Sequence, residues 1–597
     1  MKIKNRLGLS VDFLGNGSLS SIEAGDVRIS LRAATPFSRS GANLWLRKRT
    51  KPFEYTALSG PQSDSRFKAG KDGFVATGRW KGLDYVCMLR LSKKSLSWFW
   101  SLDINNRSDE TVELDLICEQ DVGLKTVSDD LINEYYVSQY IERRILEDKN
   151  YGSVICCRQN MIESAGNPWL MLACKNGASA ATVDGMQFYG RTCRETGIPE
   201  CLVSDSPGGE YAGESSVIAL HEKPFMLSSG ETRRSVFVAT YKPDHPVATS
   251  EDDLKQLSAI MSEFGDEVAI NHPRSLIAPV KNLFNTSGFL KVNDLSEQEL
   301  NRFFDKERRH CEKEDGQLLS FFSRQNNHVM LRAKETMVDR PHGHIMQAEA
   351  GLVPDENIVS TTSFAYGVFN SHLTEGNTNF NIFLSVCSSQ FNLSPETGQR
   401  IFVVIDGRHY LLGVPSAFEI GLNHCRWIYK HGDSCFQVRT WTSKKAPKVN
   451  MDFRVIRGKE VSLLITHHFD EANGWHTVPG NTAGEYVFKP KKESALAGKF
   501  PQAQFRIKVN SVNSEFTTCG DEVLYTDNKS RDGSLFILEV QKTSDFCMSF
   551  VGEICSAVTA EIINDADNQW LSDCHDARSA WQDLCLNLSL EGDHEDT

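Results

Sequence analysis

The chain has 597 residues, of which 40% are hydrophobic and 24% are charged, and its formal net charge is −13. This length exceeds what one hydrophobic core supports, so about two to four domains are predicted. The acidic balance excludes wrapping of nucleic acid, which requires a concentrated basic surface. The short pairs of lysine and arginine are scattered and are typical of a solvated face.

The amino-terminal residues predict neither an export signal nor a membrane anchor. Met1 is followed by basic residues without an apolar run of signal-peptide length, and no segment approaches a membrane span of roughly 20 apolar residues. We therefore expect a soluble, cytoplasmic protein with no membrane partner. The 16 cysteines are irregularly spaced without a Cys-x-x-Cys pair, which predicts free thiols rather than disulfides.

From Leu7 to about residue 245 the sequence predicts short strands separated by turns. Asn16-Gly17-Ser18 is a tight-turn signal between two apolar segments, and 96–104 is rich in aromatic and aliphatic residues. Strand-like segments recur at intervals of about 8–12 residues, which favours a sandwich or barrel over alternating strands and helices.

Helical patterns begin at Ser250. Residues 251–264 place their apolar side chains on one helical face. A second helix is predicted to begin at Ser296, with Glu299 completing a capping box, and to continue to about Glu312. We interpret this region as a linker between two β domains.

Residues 315–560 again predict strands, and Asp406-Gly407 supplies the turn of a clear hairpin. The segment 566–584 predicts a helix, and the acidic end, 591–597, a frayed tail. The predicted fold class is mainly β: two large antiparallel β-sandwich domains joined by a helical linker, with a C-terminal helix. The predicted boundaries are 1–248, 249–314, 315–560 and 561–597.

The sequence contains none of the common phosphate-loop, dinucleotide-binding or nucleophile-elbow motifs. His342 and His344 would share one face of a strand, as two metal ligands require, but no third ligand is visible nearby. Hydrogen-bonding or structural roles are therefore favoured over metal binding, and no cofactor is expected.

Carboxylate pairs for glycoside chemistry cannot be identified from spacing alone. Glu119 and Asp121 follow an apolar strand, and Glu134 precedes a tyrosine pair. The alternative interpretation is that these strand-end carboxylates pair with Arg143 or Arg144. No acid stands out as a catalytic group.

Residues 318–430 have the most unusual composition, because polar and aromatic residues repeatedly interrupt apolar strands. Amides and guanidinium groups can bind hydroxyl pairs while aromatic rings cover the apolar face of a sugar. Turn capping by Asn and His explains the same composition equally well. The candidate substrate-binding residues are Arg340, His342, His344, Asn377, Asn379, Asn381, Arg426 and Trp427.

Several segments resemble the N-terminal half of 1,2-β-oligoglucan phosphorylase-like proteins of glycoside hydrolase family 94, which are related to cellobiose phosphorylase and cyclic β-1,2-glucan synthase. The resemblance covers nearly the whole chain. The segments that carry it are Asn43-Leu-Trp-Leu-Arg47, Asn133-Glu-Tyr-Tyr-Val-Ser-Gln-Tyr140, Phe304-Asp-Lys-Glu-Arg-Arg-His, Gly316-Gln-Leu-Leu-Ser-Phe-Phe, Arg340-Pro-His-Gly-His, Gly367-Val-Phe-Asn-Ser, Gly376-Asn-Thr-Asn-Phe-Asn and Leu412-Gly-Val-Pro-Ser-Ala-Phe-Glu.

In the family that these segments resemble, N-terminal β-sandwich regions precede an (α/α)6 barrel. The barrel carries the general acid and the phosphate site for an inverting phosphorolysis. No position of this chain matches those catalytic residues, and the helix predicted at 566–584 resembles the one that leads into the barrel. The resemblance therefore implies a glycosyltransferase-like β portion that is inactive alone, as in a truncated or split product.

The favoured hypothesis is a non-catalytic β portion that shapes a glucan site and packs against a lost or separate (α/α)6 catalytic chain, with β-linked glucooligosaccharides as ligands. Two alternatives remain open at this stage. One is a stand-alone glucan-binding protein. The other is an independent glycosidase that uses two of four carboxylates, Glu119, Asp121, Glu134 and Glu375.

Overall fold

The structure is a computed structural model. It describes residues 1–70, 73–126, 134–207, 213–264, 275–348, 356–376, 381–387, 389–478, 484–510, 515–554 and 565–584. The chain forms two compact units: unit 1 comprises 1–287, 388–395 and 523–529, and unit 2 comprises 288–387, 396–522 and 530–597. The region assigned to a linker contributes helices to both units, and the predicted domain boundaries stay predictions.

Unit 1 is built mainly from strands. The strands are β1 Lys2–Lys4, β2 Leu9–Phe13, β3 Leu19–Ala24, β4 Val27–Arg28, β5 Ala42–Lys48, β6 Glu54–Ala57, β7 Arg66–Gly70, β8 Gly73–Trp80, β9 Leu83–Leu91, β10 Ser97–Asn106, β11 Val112–Asp121, β12 Lys125–Thr126, β13 Ile141–Asp148, β14 Gly152–Gln159, β15 Trp169–Cys174, β16 Ala178–Thr182, β17 Val217–Glu222, β18 Phe225–Leu227 and β19 Thr232–Lys242. The helices are α1 Glu134–Gln139, α2 Gly185–Tyr189, α3 Cys193–Thr196, α4 Leu257–Glu263 and α5 Leu283–Thr286, with 3₁₀ turns at Glu200–Leu202 and Glu251–Gln256.

Most of these strands form a 14-stranded sheet, and β1–β4 with β12 form a smaller one. The side chains of β10 alternate between the two faces of the large sheet, and both faces are covered. Trp98 and Trp100 enter the main core, whereas Phe99 points to the other face and packs on Phe264, just beyond α4, at 5.4 Å between ring centroids. The helical pattern predicted at 251–264 is confirmed, with its first half wound as a 3₁₀ helix.

Unit 2 is also built mainly from strands. They are β20 Gly288–Phe289, β21 Arg308–Glu314, β22 Gln317–Ser323, β23 His328–Leu331, β24 Gly343–Gln347, β25 Val359–Phe364, β26 Val368–Glu375, β27 Gln399–Ile405, β28 Arg408–Leu411, β29 Ala417–Ile420, β30 His424–His431, β31 Ser434–Thr442, β32 Lys448–Arg457, β33 Val461–His468, β34 His476–Val478, β35 Glu485–Lys489, β36 Gln504–Asn510, β37 Phe516–Cys519, β38 Leu535–Thr543 and β39 Asp545–Glu553. The helices are α6 Glu297–Phe304, α7 Arg332–Glu335, α8 Ala495–Lys499 and α9 Ala566–Leu584, with a 3₁₀ turn at Asp521–Leu524.

These strands form a 9-stranded and an 11-stranded sheet, in which neighbouring strands pair mostly antiparallel. Buried side chains from both sheets, among them Phe369, Ile401, Trp427 and Phe505, belong to one hydrophobic core. The mainly β, sandwich-type fold is therefore confirmed, and the described residues contain no helical barrel.

The helix predicted from Ser296 to about Glu312 is wrong at its C-terminal end. The capping box of Ser296 and Glu299 is present, but α6 ends at Phe304, and Asp305 has a φ of 68°. Residues 308–314 instead pair with β22 as a strand at the end of the 11-stranded sheet. Their one apolar residue, Cys311, is exposed, so they cannot bury a helical face, and strand pairing decides their conformation.

Helix α9 is anchored by one buried carboxylate. The Oδ2 atom of Asp573 accepts hydrogen bonds from Trp441 Nε1 at 3.0 Å and Gln569 Nε2 at 3.0 Å, and Oδ1 accepts one from Ser443 Oγ at 3.1 Å.

None of the described helices is long and apolar enough to cross a membrane. The cysteines within the described residues are free thiols, as predicted. The predicted acidic tail lies outside the described residues.

Candidate carbohydrate site

The segment Arg340-Pro-His-Gly-His leads into β24, which is the edge strand of the 9-stranded sheet in unit 2. The side chain of Arg340 is exposed, and those of His342 and His344 are half-buried. β24 pairs with β25 on one side only, with His344 opposite Ser363. An edge strand of this kind can present side chains to a ligand without disturbing the sheet.

The ring of His342 is held by a buried carboxylate from α7. Its Nδ1 lies 2.7 Å from Oε2 of Glu335, and its backbone N–H donates to the same carboxylate at 3.3 Å. Because Glu335 is only 2% exposed, it orients the imidazole and leaves Nε2 as the ring atom available to a ligand. Glu335 lies seven residues upstream, and no sequence signal pointed to it.

A second imidazole lies beside His342. The ring centroids of His328 and His342 are 6.2 Å apart, and His328 stacks on Phe322 at 4.7 Å. Burial and the proximity of His342 lower the pKa of His328 below its usual range. The neutral imidazole can donate one hydrogen bond and accept another, which matches a sugar hydroxyl.

His344 faces a different partner from His342. Its Nε2 lies 3.4 Å from the backbone oxygen of Leu422, and burial lowers its pKa. The side chain of Leu422 beside it is 47% exposed, whereas Ile345, the next residue of the strand, points to the opposite face. Among the described residues there is no group of three or more His, Cys, Asp or Glu that could hold a metal ion. The surroundings of His344 combine a polar ring with apolar surface, as sugar sites do.

Of the three predicted asparagines, Asn377 and Asn379 lie outside the described residues. Asn381 is buried, and its Nδ2 donates to the backbone oxygen of Glu375 at 2.7 Å. The Asn381 amide therefore caps the end of β26, which is the turn-capping role that the sequence left open.

Arg426 and Trp427 on β30 are occupied by contacts within unit 2. Arg426 donates to Glu419 at 2.5 Å, and its guanidinium lies over the ring of Phe304. Trp427 has no exposed surface, and its indole N–H donates to backbone oxygens of β25 and its following turn, including that of Phe364 at 3.2 Å. A ring enclosed in the core has no face on which a sugar could stack.

Comparison with known proteins gives two domain matches in chain order. Residues 12–239 match the family described as the SOGP N-terminal domain, and residues 305–552 match the glycoside phosphorylase supersandwich domain. The chain is related to the glycoside phosphorylases. A 1,2-β-oligoglucan phosphorylase from Listeria innocua serovar 6a is 25% identical over 517 residues, which are 85% of this chain and 45% of the relative. The chain thus spans less than half the length of that relative, and the resemblance found in the sequence is confirmed.

Similar solved structures include a polysaccharide lyase, with a TM-score of 0.27 and 8% identity over 77% of this chain and 45% of that chain. A galactose mutarotase-related enzyme from Lactobacillus acidophilus has a TM-score of 0.24 and 10% identity over 42% of this chain and 99% of that chain. A putative kojibiose phosphorylase from the human microbiome has a TM-score of 0.22 and 6% identity over 44% and 33% of the two chains.

In the N-terminal domain of this glycoside phosphorylase-related chain, Glu119 is enclosed rather than presented to a cleft. It is 2% exposed, and its carboxylate accepts hydrogen bonds from Trp45 Nε1 at 2.7 Å and from the hydroxyl of Tyr189. Burial raises its pKa from 4.5 to about 7. The cavity that Tyr189 and Asp121 line nearby has a volume of only about 20 Å³, which is room for a single water molecule and not for a sugar.

Asp121 and Glu375, two further carboxylates of the glycosidase hypothesis, are also enclosed. Asp121 is 5% exposed and accepts a hydrogen bond from the backbone N–H of Arg32 at 3.0 Å. In the supersandwich domain, Glu375 is 1% exposed and accepts one from the backbone N–H of Ile554 at 2.9 Å. The side chain of Glu134 lies outside the described residues.

Proposed function

We propose that this chain is the non-catalytic β portion of a β-1,2-glucan phosphorylase-like or glucosyltransferase-like protein, and that it shapes a glucan site completed by an (α/α)6 catalytic domain. The observation that carries the proposal is the pair of domain matches in chain order, together with the similarity to a 1,2-β-oligoglucan phosphorylase over 85% of the chain. The ligand class, a β-linked glucooligosaccharide, follows from that relative's name.

The burial of the candidate carboxylates supports a non-catalytic role. An inverting reaction on a glycoside needs an acid and a nucleophile on opposite faces of one sugar ring. Glu119, Asp121 and Glu375 are each at most 5% exposed and accept hydrogen bonds from this chain. These three groups therefore cannot reach a substrate without local unfolding.

Two exposed apolar side chains on α9 support a helical partner. Leu571 is 63% exposed and Trp581 is 57% exposed, while Cys574 and Ala577 on the same helix are buried in unit 2. Exposed large apolar residues on one helix are typical of a protein interaction site. The partner proposed to bind this helix is a separate (α/α)6 catalytic domain.

The saccharide entrance is proposed at the edge strand β24. Arg340, His342 and His344 supply the polar groups and Leu422 the apolar surface. Asn377 and Asn379, which lie outside the described residues, stay proposed sugar ligands. Asn381, Arg426 and Trp427 support these elements from within the domain. We also propose that the protein acts in the cytoplasm without a cofactor, which agrees with the free thiols of the described cysteines.

The purified 597-residue chain is expected to release no glucose 1-phosphate from sophorose or β-1,2-glucan in the presence of phosphate. It is expected to bind β-1,2-glucooligosaccharides saturably in isothermal titration calorimetry. Steady phosphorolysis by this chain would refute the non-catalytic role. Hydrolysis without phosphate would instead favour the glycosidase hypothesis.

Substitution of the edge-strand residues tests the site itself. Arg340→Ala and His344→Ala are each expected to weaken binding by about tenfold, because each removes a hydrogen bond to the sugar worth about 1–1.5 kcal/mol. Arg324→Ala is the matched control, since the side chain of Arg324 is 69% exposed in the same unit. Equal affinities for all three variants and the wild type would exclude this strand from the site.

A further inference from the structure

Unit 1 contains a groove of about 670 Å³ that the sequence analysis did not assign to any function. It lies across β7, β8, β9, β10 and β19, and its volume falls within the roughly 300–1,000 Å³ of ligand pockets. The groove is lined by Asp64, Arg66, Thr77, Gly78, Arg79, Asp84, Tyr85, Val86, Asp103, Asn105, Arg107 and Thr232.

Strand register brings the polar side chains together in cross-strand rows. In one row, Asn105 on β10 lies between Asp84 on β9 and Thr232 on β19, and Asp84 also lies opposite Arg79 on β8. Directly opposed residues have Cβ atoms about 4.5–5.5 Å apart, so one ligand can contact several of them. The alternate residues of β10, such as Leu102 and Ile104, are buried in the core and fix which face the polar residues occupy.

The polar groups in the groove are held in place by one another. Asp84 lies between two guanidinium groups, with Arg79 at 3.4 Å and Arg107 at 3.3 Å. Asn105 Nδ2 donates to Thr232 Oγ1 at 2.6 Å, whereas the buried Oδ1 of Asn105 accepts no hydrogen bond from the described residues. The hydrogen bond to Thr232 fixes the Asn105 amide within the cross-strand row.

The charges of the lining residues indicate which ligand the groove fits. Three aspartates, at 64, 84 and 103, balance three arginines, at 66, 79 and 107, so the formal charge of the lining is zero. Asp103 and Asp64 are also ion-paired, with Arg234 at 2.5 Å and Lys281 at 3.1 Å, so the groove presents carboxylates within ion pairs. Carboxylate, guanidinium, amide and hydroxyl groups at close spacing match the alternating donors and acceptors of neighbouring hydroxyls.

We propose that this groove is a carbohydrate site of the N-terminal domain, which binds a neutral oligosaccharide independently of the proposed site at β24. Asp84 and Asn105 contact the sugar hydroxyls, and Arg79 and Arg107 hold the Asp84 carboxylate in position. Because the groove lies entirely within unit 1, it needs no residue of the supersandwich domain.

The test uses the full chain carrying Arg340→Ala and His344→Ala, titrated with β-1,2-glucooligosaccharides by calorimetry. Saturable binding is expected to remain in this background and to weaken by about tenfold to a hundredfold on adding Asp84→Ala or Asn105→Leu. Asp109→Ala is the control, because Asp109 is exposed in the adjoining turn and does not line the groove. Inorganic phosphate is expected not to compete.

The thermal unfolding midpoint of each variant shows whether the variant is folded. The two groove substitutions test different properties, because Asp84→Ala removes a charge and Asn105→Leu replaces a polar amide by a larger apolar side chain. The inference is overturned if no binding remains in the background variant. It is also overturned if the remaining binding is unchanged by both groove substitutions, or if phosphate displaces the sugar. The proposal of a site at β24 is refuted by a different result, namely that Arg340→Ala and His344→Ala bind the sugar as tightly as the wild type does.

Discussion

Replacing Arg47 by leucine is expected to lower the free energy of unfolding of unit 1 by about 3 kcal/mol, because it removes the bidentate partner of a buried carboxylate that Arg49 Nη1, at 2.7 Å, then pairs alone. Arg47 and Asp115 are 1% and 2% exposed and form a bidentate pair, with Nε–Oδ1 at 2.8 Å and Nη2–Oδ2 at 2.7 Å. Arg47 also donates to the backbone oxygens of Cys201 and Ser204 at 2.8 Å. Urea unfolding followed by circular dichroism measures the loss.

Two further variants separate the broken pair from general damage. Arg47→Leu/Asp115→Leu is expected to be more stable than Arg47→Leu alone by about 1 kcal/mol, because it removes a buried carboxylate that only Arg49 still pairs. Arg144→Leu is the surface control, since its side chain is 54% exposed, and it should change stability by no more than about 0.5 kcal/mol. If the double variant is less stable than Arg47→Leu, the weakened pairing of the buried Asp115 carboxylate is not the cause.

The hairpins were predictable because their turns have a strict local requirement. Gly17 has a φ of 82°, and Asp406 and Gly407 have φ values of 49° and 74°, a conformation that Gly and Asp adopt with little strain. The strands that flank both turns pair as expected. Local chemistry was sufficient for these elements, because no distant contact decides between alternatives.

The order of strands within each sheet was not predictable from one sequence. β10 lies between β9, its neighbour in the chain, and β19, more than one hundred residues away. Such pairings depend on which faces bury one another, and residue type alone does not contain that information. The strand at 308–314 could not be predicted for the same reason, since its conformation depends on pairing with the edge of a sheet.

The candidate site was predictable only in part, for a related reason. Composition identified a polar and aromatic region but could not separate Trp427, which fills the core, from Arg340, which is exposed. The residue type alone does not show whether a polar side chain is buried and supports a sheet or is exposed and can bind a sugar. The groove in unit 1 could not be predicted, because its residues come from five strands and form no sequence motif.

Wild-type unit 1 is expected to lose about 3 kcal/mol of stability as the pH rises from about 4.5 to 7, because of Glu119. Burial raises the pKa of Glu119 in the folded protein from 4.5 to about 7. Within this interval the unfolded chain releases a proton that the folded chain retains, so rising pH favours unfolding. Above pH 7 both states are ionised, and below 4.5 both are protonated, so this contribution is constant outside the interval.

Glu119→Gln is expected to abolish this pH dependence, because an amide stays neutral. Its oxygen can accept from Trp45 Nε1, and its NH2 group can donate to the hydroxyl oxygen of Tyr189. The stability of the variant relative to wild type should therefore rise by about 2–3 kcal/mol between pH 5 and pH 8. Native-state hydrogen exchange of the β11 amides at both pH values measures the difference within unit 1. Glu113→Gln on the same strand is the exposed control and should keep the wild-type slope. If Glu119→Gln keeps that slope too, the Glu119 carboxyl does not exchange its proton in this range, and the enclosed environment assigned to it is wrong.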